Sequence, residues 1–505
     1  MERGIGDMQG IRYWFLRGSL EHRLTDRQRA FLATLNPFDV LRDARTGDAA
    51  RAYYVSHPNA AVRELAARTA TSDVTRMMFF DDPSEEVQLA AVRGATGDGL
   101  RTAFLRSCFP AVVHASVAGM VSDEVRKEYA THSNPELRAA AVAGMKSDEA
   151  RMLFRNDTSS EVRRIVAATI ESEETRASFA NDPDVEVRRT AVEHARDEST
   201  LLAFSHDGVP EIRAYVASHL ESDEARLMFV QDVNPDVQCA AVTAMSTDNG
   251  RMAFAKSRYD QVRLEVVSYL VEDEHRLYFL NDTCHAVIAK AVGTAASDAV
   301  LLKFAKSLFP DIRIAAIGRL SSDTLLCEFA KDPNFEVRKA ALQGMKSDHY
   351  RMEFFDDAAY SIRKLLAELL ESDEYLVEFA KDRSPDIVST AAERVTTDAA
   401  RERFLPTTNP DVRRIIVDNA MTDELRSKFA TDPDCDIRIA ALTRMTDEKS
   451  LLLFMNDFND AVRRAAFSGL RSLELRARFV QDPDPTIAQE AQYAAAIIDT
   501  AGRSL

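Results

Sequence analysis

Residues 222–246 read SDEARLMFVQDVNPDVQCAAVTAMS. Ser222 suits the cap of a helix, and Asp223 and Glu224 behind it favour the positive end of the helix dipole. The spacing predicts a short helix that carries Arg226 and Phe229 and ends near Asp232. Asn234 then caps a second helix, with Pro235 at its first position and Asp236 next. Val237, Ala241 and Met245 fall at i, i+4 and i+8, so one face of that second helix is expected to be buried.

The same 25 residues recur along the chain. An aromatic residue stands at every twenty-fifth position from Tyr54 through Phe79, Phe104 and Tyr129 to Phe479, eighteen copies without a miss. An aliphatic column keeps step from Val62, Val87 and Val112 to Ile487, and the column of Ala241 is Ala in 12 of the 18 copies. A fixed period with no insertion predicts one small unit stacked on itself. Each helix is too short to be stable alone, so stacking must fold it. The fold class is therefore all-α: an α-solenoid of about eighteen two-helix repeats with degenerate caps. Residues 1–46 form an N-terminal capping segment, 47–472 the repeat solenoid, and 473–505 the last repeat with a C-terminal capping helix. Within the first segment, residues 25–45 look like a shortened repeat, with Thr25-Asp26 and Asn36-Pro37 in the expected order. Tyr13-Trp14-Phe15-Leu16 are expected to cover the first open face. At the other end, AQEAQYAAAIIDTA reads as one longer helix closing the stack.

The composition narrows the function. The formal charge is −17, from 64 basic and 81 acidic residues, and the acidity lies in the repeats. Such a field opposes sequence-independent binding to phosphate backbones. Nowhere does an apolar run reach the length of a membrane span. The five cysteines occupy different repeat positions and form neither a disulfide framework nor a metal box, which suits the reducing cytoplasm.

The motif in Arg176-Ala-Ser-Phe179-Ala-Asn-Asp182-Pro183-Asp-Val-Glu-Val187-Arg188 resembles the leucine-rich repeat variant and the wider HEAT-like superfamily. The resemblance spans about residues 47–490 and implies a right-handed superhelix, in which the first helix of each repeat is α or 3₁₀. Relatives include DNA-alkylation glycosylases, bilin lyases and many adaptors. The cysteine cluster that holds an iron–sulfur centre in one such protein is missing here, so no cofactor carries over. A shared fold does not transfer a function.

Two arginine columns stand out. One, including Arg63, Arg138, Arg163, Arg188, Arg213, Arg313, Arg338, Arg413 and Arg463, falls within the apolar arc of the second helix. A charge there needs a carboxylate, and the columns of Asp157, Asp182, Asp207 and Asp232 and of Asp223 and Asp248 can supply it, which predicts an Arg–Asp ladder between layers. The other, with Arg76, Arg101, Arg151 and Arg226, alternates with Leu201 and Leu301, so its stem is expected to pack, with a weak surface pair to Asp223 and its equivalents.

Exposed positions of the second helix vary more. Arg164 and Arg189 are equivalent in adjacent repeats, as are Lys339 and Lys364, and His194 and His219. Stacked like charges gain nothing from each other, and an acidic group on a partner would relieve them. These six are the candidate partner-binding residues. The histidines lack a further ligand at matching depth, so no metal is expected. No P-loop, GxGxxG, HExxH, CxxC or GxSxG motif is present, and no catalytic or cofactor-binding residue is assigned. The expected function is a non-enzymatic scaffold that binds a protein or peptide on a concave surface lined by the second helices. Nucleic-acid or nucleotide recognition, by analogy with the glycosylases, and self-assembly through the end repeats are the alternatives.

Overall fold

The computed structural model describes residues 24–502, and every element among them is helical. Tyr13–Leu16 lie outside the described residues. Packing divides the chain into two units, Met1–Val266 and Val267–Leu505. Each unit is an α-solenoid in which first helices pack on first helices and second helices on second helices of the neighbouring repeat.

The repeat at 222–246 shows how the sequence builds the module. Ser222 Oγ accepts the Ala225 N–H at 3.1 Å, starting the helix Asp223–Arg226. That single α turn passes directly into the 3₁₀ segment Leu227–Gln231. Asn234 Oδ1 accepts the Asp236 N–H at 2.7 Å, and the second helix runs Pro235–Ala244. The first helix is thus neither purely α nor purely 3₁₀. In copies such as Asp98–Phe104 it stays α throughout, and in Asp148–Arg151 it tightens into Met152–Phe154. Phe229 is 2% exposed, and every member of its column is buried except Tyr129, which is half-buried. Burying such a ring contributes about 2–3 kcal/mol against leaving it in water, more than two short helices gain from their own hydrogen bonds.

The predicted ladder is present. Arg163 lies on the helix Ser160–Thr169 and reaches forward to Asp182 in the next repeat, Nε to Oδ2 at 2.8 Å and Nη2 to Oδ1 at 2.9 Å. Its Nη1 donates to the Asp157 carbonyl at 2.8 Å, while Asp157 takes the guanidinium of Arg138 from the repeat before. Asp182 also accepts the Asp184 N–H at 3.0 Å, which fixes the turn into the following helix. The same contact joins Arg63 to Asp82, Arg188 to Asp207 and Arg213 to Asp232 in the first unit. In the second it joins Arg313 to Asp332, Arg338 to Asp357, Arg413 to Asp432 and Arg463 to Asp482. Each guanidinium nitrogen of Arg163 and both carboxylate oxygens of Asp182 make a hydrogen bond, as a buried ion pair requires.

The second arginine column departs from the expected weak surface pair. Arg226 is 7% exposed and Asp223 is half-buried. Arg226 Nη1 meets Asp223 Oδ1 at 3.2 Å, and its Nη2 donates to the Leu220 carbonyl at the end of the preceding second helix. Asp223 in turn accepts the backbone N–H groups of Ser246 at 2.9 Å and Thr247 at 3.0 Å, which open the next repeat. One carboxylate therefore ties its own arginine to the following module. The i, i+3 spacing reveals the pair, but the cross-repeat bonds bury it. Burial works to raise the Asp223 carboxyl, and the Ser246 and Thr247 donors outweigh it, holding the group at about 2. Asp423 is held at about 2 by the same opposition, with Asp447 and Thr446 as donors.

Glycine enters this column for space. A Cβ on Gly119 would stand 2.7 Å from Arg101 Nε, so a larger residue there must displace a guanidinium.

The two described ends differ from the repeats between them. Thr25 and Gln28 form a capping box on the helix Asp26–Leu32, and Asn36 caps Pro37–Arg42. The helix Pro485–Gly502 continues past the length of its predecessors. It carries Ala488 in place of arginine, and exposed Gln492 where Val242, Val417 and Leu442 are buried. The first change removes the donor of the inter-repeat ion pair, and the second places a polar side chain in an otherwise apolar column. No helix among the described residues is long and apolar enough to cross a membrane.

Candidate protein-binding surface

Because the buried columns are spent on stacking, only the exposed positions of the helices remain free to vary. On the second helices these follow the N-terminal caps, whose backbone N–H groups favour acid. Glu136, Glu161, Glu186, Glu211 and Asp236 occupy one such column in the first unit, and Asp311, Glu336, Asp386 and Asp411 occupy it in the second.

The six predicted residues are exposed or half-exposed, but the cations already have acidic neighbours. Arg164 grips Glu161 through two hydrogen bonds of 2.9 and 2.7 Å, which raise its pKa. Arg189 lies 3.6 Å from Glu186, and Lys339 3.8 Å from Glu336. Lys364 reaches across to Asp386 at 2.8 Å, and that bond raises its pKa. The acidic cap column, one turn earlier on the same helix or on the next, relieves the repulsion that the like charges would otherwise feel. His194 Nδ1 is 2.8 Å from the Thr190 carbonyl. His219 stacks on Tyr215 at 3.9 Å between centroids, with Nδ1 2.8 Å from the Tyr215 carbonyl. The two histidines are held each on its own helix.

A different part of the same face is concave. Two adjoining depressions of about 380 and 550 Å³ run over the second helices Ala60–Thr69, Glu85–Arg93, Pro110–Gly119 and Pro135–Ala143. They share Leu89 and Arg93; the smaller is also lined by Glu64 and Glu86, and the larger by Val113, Ala115 and Leu137 together with Cys108, His114 and Glu136. Arg93 is exposed and forms no ion pair or hydrogen bond through its side chain within the described residues.

The groove coincides with a gap in the ladder. Gln88 stands where arginine is expected, donating to the Asp82 carbonyl at 2.8 Å and accepting from Ser107 Oγ at 2.6 Å. In the next repeat Val113 and His132 replace arginine and aspartate altogether. The helix PAVVHASVAG at 110–119 contains no Asp, Glu, Lys or Arg. Losing two successive charged rungs leaves Val113, Ala115 and Leu137 beside a guanidinium that is unpaired among the described residues. The signal for this site lay in the broken column, at positions where the arginines stop.

No family model matches the chain, and no curated protein matches it. A solved structure described as a leucine-rich repeat variant with a novel repetitive structural motif is similar at 21% identity. It covers 50% of this chain and 88% of its own, with a TM-score of 0.28. The chain is similar to that repeat protein, while its solenoid architecture stands on its own helices and columns.

Proposed function

We propose that the chain is a non-catalytic scaffold that holds a protein or peptide on the exposed face of its second helices, with the groove at 89–137 as the anchor. The observation that carries this reading is Arg93, an unpaired guanidinium above an apolar floor, on a face where Arg164, Arg189, Lys339 and Lys364 are all neutralised. Such a site suits an extended segment that places a small apolar side chain against Val113 and Leu137 and a carboxylate on Arg93. Arg164, Arg189, His194, His219, Lys339 and Lys364 then serve as peripheral contacts along the same face.

Affinity capture with the full chain and with Arg93→Glu/Val113→Asp tests it. A partner retained by the wild type and by Arg189→Gln, but lost with the groove variant, supports the reading. Identical capture by all three, or a turnover measured on the chain itself, overturns it.

A further inference from the structure

The first helices carry a second surface, independent of the Arg93 groove. Each presents two adjacent outward positions just after its buried arginine or leucine. Over five successive repeats these are Met152-Leu153, Ala177-Ser178, Leu202-Ala203, Leu227-Met228 and Met252-Ala253, without one charge. Leu153 is 56% exposed, Met228 41% and Leu227 40%. In the second unit the second of the two columns is mostly charged, with Lys303, Glu328, Glu353, Glu378, Arg403, Lys428 and Arg478 beside the uncharged Tyr278 and Leu453. The run in the first unit belongs to the longest uncharged stretch of the two columns, and contiguous exposed apolar patches mark interaction sites.

The positions recur on successive first helices. In the second unit Lys428 Nζ lies 2.5 Å from Glu402 Oε1, so positions 26 apart in these columns face each other within reach of long side chains across neighbouring repeats. The equivalent pairs in the first unit are Met152 with Ser178, Leu202 with Met228, and Leu227 with Ala253. One edge of the strip is acidic: Glu149, Glu174 and Glu224 sit one helical turn before it, exposed and outside any ion pair among the described residues. The opposite edge carries Asn156, Asn181, His206, Gln231 and Lys256, and beside it Arg155 donates to Ser178 Oγ at 3.1 Å and to the Ser178 carbonyl at 2.7 Å.

We propose that this strip receives a basic amphipathic helix of a partner protein. At a spacing of about 9–10 Å between packed helices, five repeats extend about 40 Å, the length of a helix of about 25 residues. Methionine and leucine adapt to an apolar helix face, and the glutamates meet lysines or arginines along one flank. An anionic helix or an anionic membrane surface meets the same glutamates with repulsion.

The test is fluorescence anisotropy of the full chain with a labelled 25-residue peptide of Leu and Lys in heptad spacing, beside its Leu and Glu counterpart. The Lys peptide binds, with affinity falling as salt rises, and the Glu peptide does not. Leu153→Gln/Met228→Gln keeps the charge, occupies columns where Ser178 already places a polar group, and weakens binding at least tenfold. Glu174→Gln/Glu224→Gln flattens the salt dependence. Arg93→Glu leaves the interaction intact, so this result and the groove reading stand or fall separately. No binding of the Lys peptide, equal binding of both peptides, or unchanged affinity in the Leu153→Gln/Met228→Gln variant overturns the proposal.

Discussion

Arg163 and Asp182 stand 19 residues apart yet share two hydrogen bonds, Nε to Oδ2 at 2.8 Å and Nη2 to Oδ1 at 2.9 Å. With the side chains 11% and 1% exposed, neither has water to fall back on. Asp182→Ala therefore leaves a buried cation, a defect of about 3–5 kcal/mol. The double change Arg163→Gln/Asp182→Ser copies the neutral rung of Gln88 and Ser107 and recovers most of that loss. Hydrogen exchange of the amides in Ser160–Thr169 and Val185–Glu193 reads both, because local opening reports the interface directly.

Acid weakens the stack in a defined window. The carboxyls of Asp223 and Asp423 are held at about 2, and those of Asp148 and Asp398 also lie below the usual value; in each, burial pushes up and cross-repeat hydrogen bonds push down harder. A depressed folded pKa stabilises the fold fully above the unfolded value of about 4 and ceases to do so as pH falls through the folded one. The melting temperature by circular dichroism should be level from pH 7 to 5 and fall steeply between 4 and 2. A steep fall already at pH 6 would contradict this.

Phe229→Ala should cost about 3–5 kcal/mol and loosen the neighbouring repeats. Met228→Ala, one residue away on the exposed edge, should change stability by less than about 0.5 kcal/mol. Thermal denaturation of the two variants side by side gives the contrast.

Gly119→Val should disturb more than the helix in which it sits. The new side chain meets Arg101 Nε, so the guanidinium leaves the Ala95 carbonyl it now caps. Faster exchange at the end of the preceding second helix, Glu85–Arg93, and at the residues just after it is the expected signature.

The net charge of −17 predicts negligible binding to heparin or duplex DNA at moderate salt. A shift of DNA in an electrophoretic assay, steeply relieved by salt, would reopen the nucleic-acid reading.

The repeat, its caps and the Arg–Asp ladder were legible in the sequence because each is a pattern that recurs at a fixed step along the chain, the aromatic column eighteen times and the ladder arginine twelve. Even the register of the ladder is written there: all twelve arginines of the column have Asp 19 residues later, and Gln88, Val113, Gln238, Ile288 and Val388 have Ser, His, Ser, Ser and Thr. What periodicity hid was the burial of Arg226 with Asp223. That pair looks like an ordinary surface contact until the neighbouring repeat closes over it. The groove and the neutralised cations were hidden for a related reason. Whether Arg164 is free depends on the rotamer that brings it to Glu161, and Arg93 stands out only when the depressions beside it are seen.

The two kinds of rung also act as a grammar for gene rearrangement. Fusing an arginine module to one bearing serine at the facing position would bury a lone cation, and glutamine before aspartate would bury a lone anion. Unequal crossing-over can thus add or delete modules freely within a charged stretch such as Arg138 to Asp232, but not across the boundaries at Gln88 and Gln238. Lineages that lengthen or shorten the array should do so there, keeping the gap, and the groove that depends on it, in place.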